Sequence, residues 1–405
     1  MSAHATHAQV SSRLRALQPS VTLVISQLAR KLSAEGRDII NMSSGELDFP
    51  TPEPIVREAI AALHDGQTRY TDVGGTPTLK AAIIAKFRRE NQLAFTPRQI
   101  IASTGAKQII FNALLATLEP EDEVIIPAPY WVSYPEMVRL TGATPRYVEP
   151  GEQDGFKLTP ARLAAALNAN SRWLLLNSPG NPSGALYSAE ELRALGEVLA
   201  AYPRVLVMSD DIYEHIVYEG EFVSFATAVP SLAARTLTVN GVSKAYAMTG
   251  WRLGYAGGPE WLIDGLALLQ SQSTSCPSAI GQAGALAALN GPQSLLPEWC
   301  GRLRLRRDQA LSILRQAPDL RVATPPAAFY LFVDCRALIG KQSPYAETIN
   351  DDVGLAAYLL EHAGVAVVPG SAFGLAHHFR IAYSIADALV ARACERIVAA
   401  CEALR

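Results

Sequence analysis

Three short segments carry side chains able to act together on one small molecule. Ser209-Asp210-Asp211-Ile212-Tyr213 sets a carboxylate and a phenol three residues apart. Asn240 to Gly254, reading NGVSKAYAMTGWRLG, holds Lys244 among small residues, with Arg252 eight positions on. Asn177 to Gly184, reading NSPGNPSG, places Asn181 beside Pro182, and a proline turn fixes such an amide. A lysine amine freed of its proton is a nucleophile towards carbonyl carbon and a base towards C–H bonds. A fourth segment, Ser103-Thr104-Gly105-Ala106-Lys107-Gln108, precedes an apolar helix. The first turn of a helix offers unpaired N–H groups, which suit a phosphate.

The elements that position these groups are legible in part. Apolar runs at Glu123–Ile126, Trp173–Leu176, Val205–Met208 and Thr236–Val239 read as buried strands, each followed by a polar loop. Helices are expected from about Thr51-Pro52 to Gly66 and from about Pro77 to Asn91. Strands alternating with helices imply an α/β fold with a mostly parallel central sheet. Ligands of such sheets gather at the carboxyl ends of the strands, where the segments above lie. From about Gly291 the texture changes to α+β. A basic helix Arg302–Arg315 leads to strands near Phe329–Val333, Val365–Val368 and Phe379–Ala382, with helices near Val353–His362 and Asp387–Leu404. The division expected is residues 1–45 as an N-terminal arm joining a small domain, 46–290 as a large domain, and 291–405 as the small C-terminal domain.

A lysine, a carboxylate, an amide and a phenol at successive strand ends suit pyridoxal 5′-phosphate. Its aldehyde needs a lysine, its ring nitrogen needs a carboxylate that keeps it protonated, and its 3′-oxygen is tuned by hydrogen-bond donors. Its phosphate needs N–H groups and a cation. Trp131, after the Glu123–Ile126 run, is placed to stack on the ring.

Composition narrows the partners. The 405 residues carry a net charge of −3 and are 49% hydrophobic. That balance favours small molecules and further subunits over nucleic acid or an anionic membrane. Met1 to Val10 lacks the apolar run of a secretory signal, and no stretch is long and apolar enough for a membrane span. The five cysteines form no C-x-x-C pair, and the seven histidines form no zinc pattern; His377 and His378 read as a strand-edge pair. A cytoplasmic protein without a metal is expected.

These motifs resemble those of class I aminotransferases of the fold-type I pyridoxal-phosphate superfamily, over roughly Arg13 to Leu404. Gly241 to Gly254 fits the family's lysine signature. Pro129 to Met137 (PYWVSYPEM) and Ser271 to Thr274 (SQST) are similar to the branch of bacterial aspartate aminotransferases. The resemblance implies a large cofactor domain with a smaller α+β domain. It implies that Lys244 carries the cofactor and shuttles the proton, that Asp210 pairs with the ring nitrogen, and that Tyr213 and Asn181 bond the 3′-oxygen. It implies Trp131 on the ring, and Gly105, Ala106, Lys107, Ser243 and Arg252 around the phosphate. Tyr70 would reach the phosphate of a neighbouring subunit in a homodimer. Arg380, with Gly45, Trp131 and Asn181, would hold the substrate, Arg380 as a bidentate fork on the α-carboxylate. Lys107 would either reach a distal substrate carboxylate or only flank the phosphate loop.

Departures from the family pattern are Gly241 in place of a serine, Leu47 in GELDF, Asp211 in SDDIY and Ser183 in NPSG. None removes a group the chemistry requires. The reaction implied is reversible ping-pong transfer of an amino group from an L-amino acid to a 2-oxo acid such as 2-oxoglutarate. Aspartate is the first donor and aromatic amino acids the second. A pyridoxal-phosphate lyase or decarboxylase would use the same constellation, and a cofactor-sensing regulatory domain is the remaining alternative.

Overall fold

The computed structural model describes residues 10–15, 17–151 and 153–405. Apart from Val10, the amino-terminal segment read above lies outside them. Among the described residues, thirteen strands run in chain order as β1 (Ile40–Asn41), β2 (Ile100–Ser103), β3 (Glu123–Pro127), β4 (Thr144–Val148), β5 (Ser171–Asn177), β6 (Leu206–Asp210) and β7 (Thr236–Gly241). They continue as β8 (Gly254–Gly257), β9 (Arg321–Val322), β10 (Tyr330–Asp334), β11 (Val365–Ala366), β12 (Val368–Pro369) and β13 (His378–Ala382).

Seven strands form the central sheet, in the order β2-β8-β7-β6-β5-β3-β4. The pairs β7–β6, β6–β5, β5–β3 and β3–β4 are parallel, while β8 runs antiparallel to both β7 and β2. Strands covered on both faces need apolar residues throughout, and β6 and β7 are buried along their whole length. One face packs Val124, Trp173 and Met208 against Ile109, Ile110 and Leu266 of helices Ala106–Thr117 and Glu260–Ser271. The other packs Leu174, Leu176 and Val207 against Leu163, Leu192 and Leu195.

A second, four-stranded sheet has the order β12-β13-β10-β9 and is antiparallel throughout. Helices Leu295–Leu314 and Asp387–Glu402 share a core with it, through Leu303, Leu311, Val390 and Ile397 against Leu331 and Ile381. Residues Ile40–Asn41 join this part of the molecule, because β1 pairs in parallel with β11.

The α/β class and its mostly parallel sheet agree with the sequence, and the helix Pro77–Asn91 is bounded where expected. Thr76 caps it by accepting from Leu79 N, and Pro77 sits where a missing N–H costs nothing. Other boundaries moved. The basic helix starts at Leu295, since Pro297 lies in its first turn, where proline is tolerated. The strand expected at Val365–Val368 is two short strands in different sheets, β11 and β12. Asp210 is the last residue of β6, not part of a following loop. Strands β1, β2, β4, β8 and β9 had no sequence counterpart.

Candidate active site

Parallel strands end their carboxyl termini on one side of a sheet, and there the chain encloses a cavity of about 330 Å³. Every candidate residue from the sequence lines it except Gly105 and Tyr70. Gly105 stands one residue outside the wall. Tyr70 is 90% exposed and is not part of the cavity wall.

Asp210 is carried in by β6 and is 5% exposed. Its Oδ2 accepts from the Tyr134 hydroxyl at 2.6 Å, while Oδ1 is buried with no partner among the described residues. Burial pushes its carboxyl up to about 6, against the hydrogen bonds from Tyr134 and the Ile212 N–H and the charge of Lys244. A buried carboxylate with an idle oxygen is fitted to receive a cationic N–H. Lys244 follows β7 and donates through Nζ to the Gly45 carbonyl at 2.6 Å. Burial draws its amine down to about 8; Glu46 and Asp210 oppose this, and Arg252 and Arg380 add to it. A neutral lysine is therefore accessible near physiological pH. The Tyr213 hydroxyl lies 2.8 Å from that of Tyr330, and burial, with Tyr330 beside it, holds it protonated.

The anion-binding corner joins two distant segments. Gly105 takes φ +84°, open to glycine at little cost, and delivers the chain into helix Ala106–Thr117. A Cβ at Gly105 would collide with the Arg252 guanidinium, and one at Gly254 with the Ala106 nitrogen. Arg252 itself has φ +54° and donates Nη1 to the Thr249 carbonyl at 2.9 Å. The first free N–H groups of the helix and a guanidinium thus face the same space. Beside them the Lys107 ammonium lies 4.7 Å from the Trp131 ring centre. Burial, then the charge of Arg252, lowers the Lys107 pKa.

Arg380 is the residue of β13 that enters the cavity, and it is 2% exposed. Its Nη1 donates to Asn181 Oδ1 at 2.9 Å and its Nη2 to the Ser43 carbonyl. Among the described residues its Nε has no partner, and no carboxylate pairs with it. The ring of Tyr330 lies 4.6 Å from the guanidinium carbon. A buried, unneutralised guanidinium is costly unless an anion joins it.

A sequence model described as aminotransferase class I and II matches residues 37–397. The chain belongs to this family. Among related aminotransferases, the aspartate/prephenate aminotransferase of Cereibacter sphaeroides is 50% identical over 98% of this chain and 99% of its own. The aspartate aminotransferase of Rhizobium meliloti is 50% identical over 98% and 97%. A crystal structure of the aspartate aminotransferase from Rhizobium meliloti superposes with a TM-score of 0.95 at 50% identity, covering 98% of this chain and all of that one. That of the Thermus thermophilus enzyme with maleate gives 0.89 at 40% identity, covering 96% and 99%.

Aminotransferases of this family depend on pyridoxal 5′-phosphate, and the residues present fit it. The idle Oδ1 of Asp210 suits a protonated ring nitrogen, Lys244 an aldehyde, and the Gly105–Ala106–Arg252 corner a phosphate. Sequence reasoning missed Tyr134, read only as packing beside Trp131, and Tyr330, whose neighbours Phe329 and Leu331 disguise it as core. It also missed the helix Val21–Ala34, from which Thr22, Ser26 and Arg30 reach the cavity at successive i, i+4 positions. That helical spacing was the available signal.

Proposed function

We propose that this aminotransferase takes the amino group of a dicarboxylic L-amino acid, aspartate first, and returns it to a 2-oxo acid such as 2-oxoglutarate. The observation that carries the reading is Arg380: a buried guanidinium with a free Nε, in the same cavity as the Lys244 amine. It would grip the α-carboxylate as a fork and hold Cα against Lys244. Gly45 and Asn181 line the same side. The names of the relatives support aspartate, and so does a second group of donors in the wall. Thr22 Oγ1 is buried and unpartnered, and Lys107 and Arg30 also face the cavity, where a side-chain carboxylate would meet them.

The bound cofactor supplies an electron sink for the pair left at Cα when its proton departs. In the proposed division of labour, Lys244 Nζ takes and returns that proton. Asp210 Oδ1 would keep the ring nitrogen protonated, Tyr213 and Asn181 would donate to the 3′-oxygen, and Trp131 would cover the ring. Ala106, Lys107, Ser243 and Arg252 would hold the phosphate, with Gly105 leaving room for it. Residues 46–290 would form the cofactor domain and 291–405 a smaller domain closing over the substrate to exclude water. The exposed Tyr70 supports a homodimer in which it crosses to the neighbouring site. The five free cysteines support a reducing, cytoplasmic setting. No helix among the described residues is long and apolar enough to cross a membrane.

The test is a single half-reaction. L-aspartate alone should bleach the bound chromophore and release one equivalent of oxaloacetate per site, and 2-oxoglutarate should restore it. L-tyrosine and L-alanine rank the alternatives. Continuous turnover of an amino acid with no 2-oxo acid added would mark a lyase and overturn the proposal.

A further inference from the structure

Behind the cavity, on the far side of the segments bearing Tyr213 and Lys244, lies a buried polar cluster that the reaction above does not use. Lys86 is fully buried on helix Pro77–Asn91. Its Nζ donates to Asn91 Oδ1 at 2.7 Å and is paired with Glu214 Oε1. Glu214 is fully paired: Oε1 also accepts from Asn240 Nδ2 at 2.7 Å, and Oε2 accepts from Asn91 Nδ2 at 2.6 Å. Asn240 spends its other end on the chain itself, since Oδ1 accepts from Gly241 N at 2.7 Å. Burial opposes the Glu214 charge. Lys86 and His215 outweigh it, with hydrogen bonds from Lys86 and Asn91, and hold the carboxyl below its usual range. Glu90, His215 and Glu214 also come close enough to suggest a metal, but Lys86 already supplies the cation there.

The placement in the chain gives this cluster its meaning. Glu214 is the residue after Tyr213, and Asn240 opens the stretch Gly241-Val242-Ser243 that leads to Lys244. One amide therefore ties the segment of the phenol to the segment of the lysine, and one buried ion pair anchors both to a helix. Such a network holds a single geometry only when every member is satisfied.

We propose that Asn240 and Glu214, braced by Lys86, are positioning residues that set the distance between the Tyr213 hydroxyl and the Lys244 amine. The inference rests on the proposed role of Tyr213 as donor to the cofactor's 3′-oxygen. That donation favours the unprotonated chromophore, so a displaced Tyr213 raises the chromophore's pKa.

The experiment is a visible pH titration of the holoenzyme in Asn240→Leu, Asn240→Ala and Tyr213→Phe, with thermal unfolding and single-turnover kinetics alongside. Leucine keeps the branching of the side chain and removes both hydrogen bonds. Alanine removes them without added bulk or charge, which guards against a leucine variant that does not fold. Both Asn240 variants should raise the chromophore pKa by about one unit and slow single turnover by about 10- to 100-fold, as a small misplacement does. The KM for the amino acid should move less than kcat. A fall in unfolding temperature with an unchanged chromophore pKa in a folded Asn240 variant would make the cluster merely structural and overturn the proposal. If Tyr213→Phe itself leaves that pKa unmoved, the role assigned to Tyr213 fails instead, and the two failures are told apart.

Discussion

Asp210 costs the cofactor-free protein stability, and the cost has a pH signature. Its carboxyl titrates at about 6 in the fold against 3.8 in an unfolded chain. At 1.36 kcal/mol per pH unit, that separation amounts to about 3 kcal/mol. The sign follows from proton counts. Between the two values the folded protein binds the proton and the unfolded chain does not, so stability falls as pH rises from about 4 to about 6 and is level above that. Asp210→Asn removes the titration. The difference in unfolding free energy between the apo forms of variant and wild type, measured with urea from pH 4 to 8, should therefore swing by about four-fifths of that total in favour of the variant and then plateau. Any constant offset reflects how well an amide fits beside Tyr134 and is not part of the prediction. In the holoenzyme, a protonated ring nitrogen against Oδ1 should abolish the swing for wild type, while the variant loses most of its activity. A difference that stays flat across this pH range would refute the account of Asp210 as a carboxylate held ready for a cation.

The other expectations concern the remaining walls of the cavity. With its amine lowered to about 8, Lys244 is about one-tenth neutral at pH 7, so the rate at which apoenzyme recaptures pyridoxal phosphate should climb with pH and level off just above 8; stopped-flow absorbance checks this, and a rise continuing towards 10 would count against it. Gly105→Ala forces a side chain at φ +84° into the Arg252 guanidinium and should weaken cofactor retention at least about tenfold by equilibrium dialysis. Arg380→Lys keeps the charge but loses the fork, and should lower kcat/KM for every amino acid by about 100-fold. Lys107→Ala should reduce kcat/KM for aspartate more than for alanine; equal losses would confine Lys107 to the phosphate corner.

The chemistry of this site was more legible in the sequence than its frame. Lys244, Asp210, Asn181 and Arg252 lie in short segments whose local composition exposes them, and they converge because parallel strands end on one side. Strand β8 was illegible for a physical reason: Gly254 and Gly257 give it no apolar pattern. Edge strand β4, with Thr144 and Tyr147 exposed, lacks a buried run. Tyr330 reads as core because Phe329 and Leu331 flank it, yet its hydroxyl is aimed at Tyr213. That the helix Val21–Ala34 walls the cavity depends on long-range packing, through Ile25, Ala29 and Leu32 onto Leu360 and Ala366, which no local window contains.

The antiparallel strand β8 bears on how the enzyme is made. It is inserted between β2 and β7, and only that insertion brings Arg252 over the turn at Gly105. The two halves of the anion corner are far apart in the chain, and contacts of such separation form late because the intervening chain must be ordered first. Until the sheet is complete there is a lysine but no receptor for a phosphate. Loading would thereby favour finished molecules, because the receptor that sets Lys244 apart from any other lysine is complete only when the central sheet has closed.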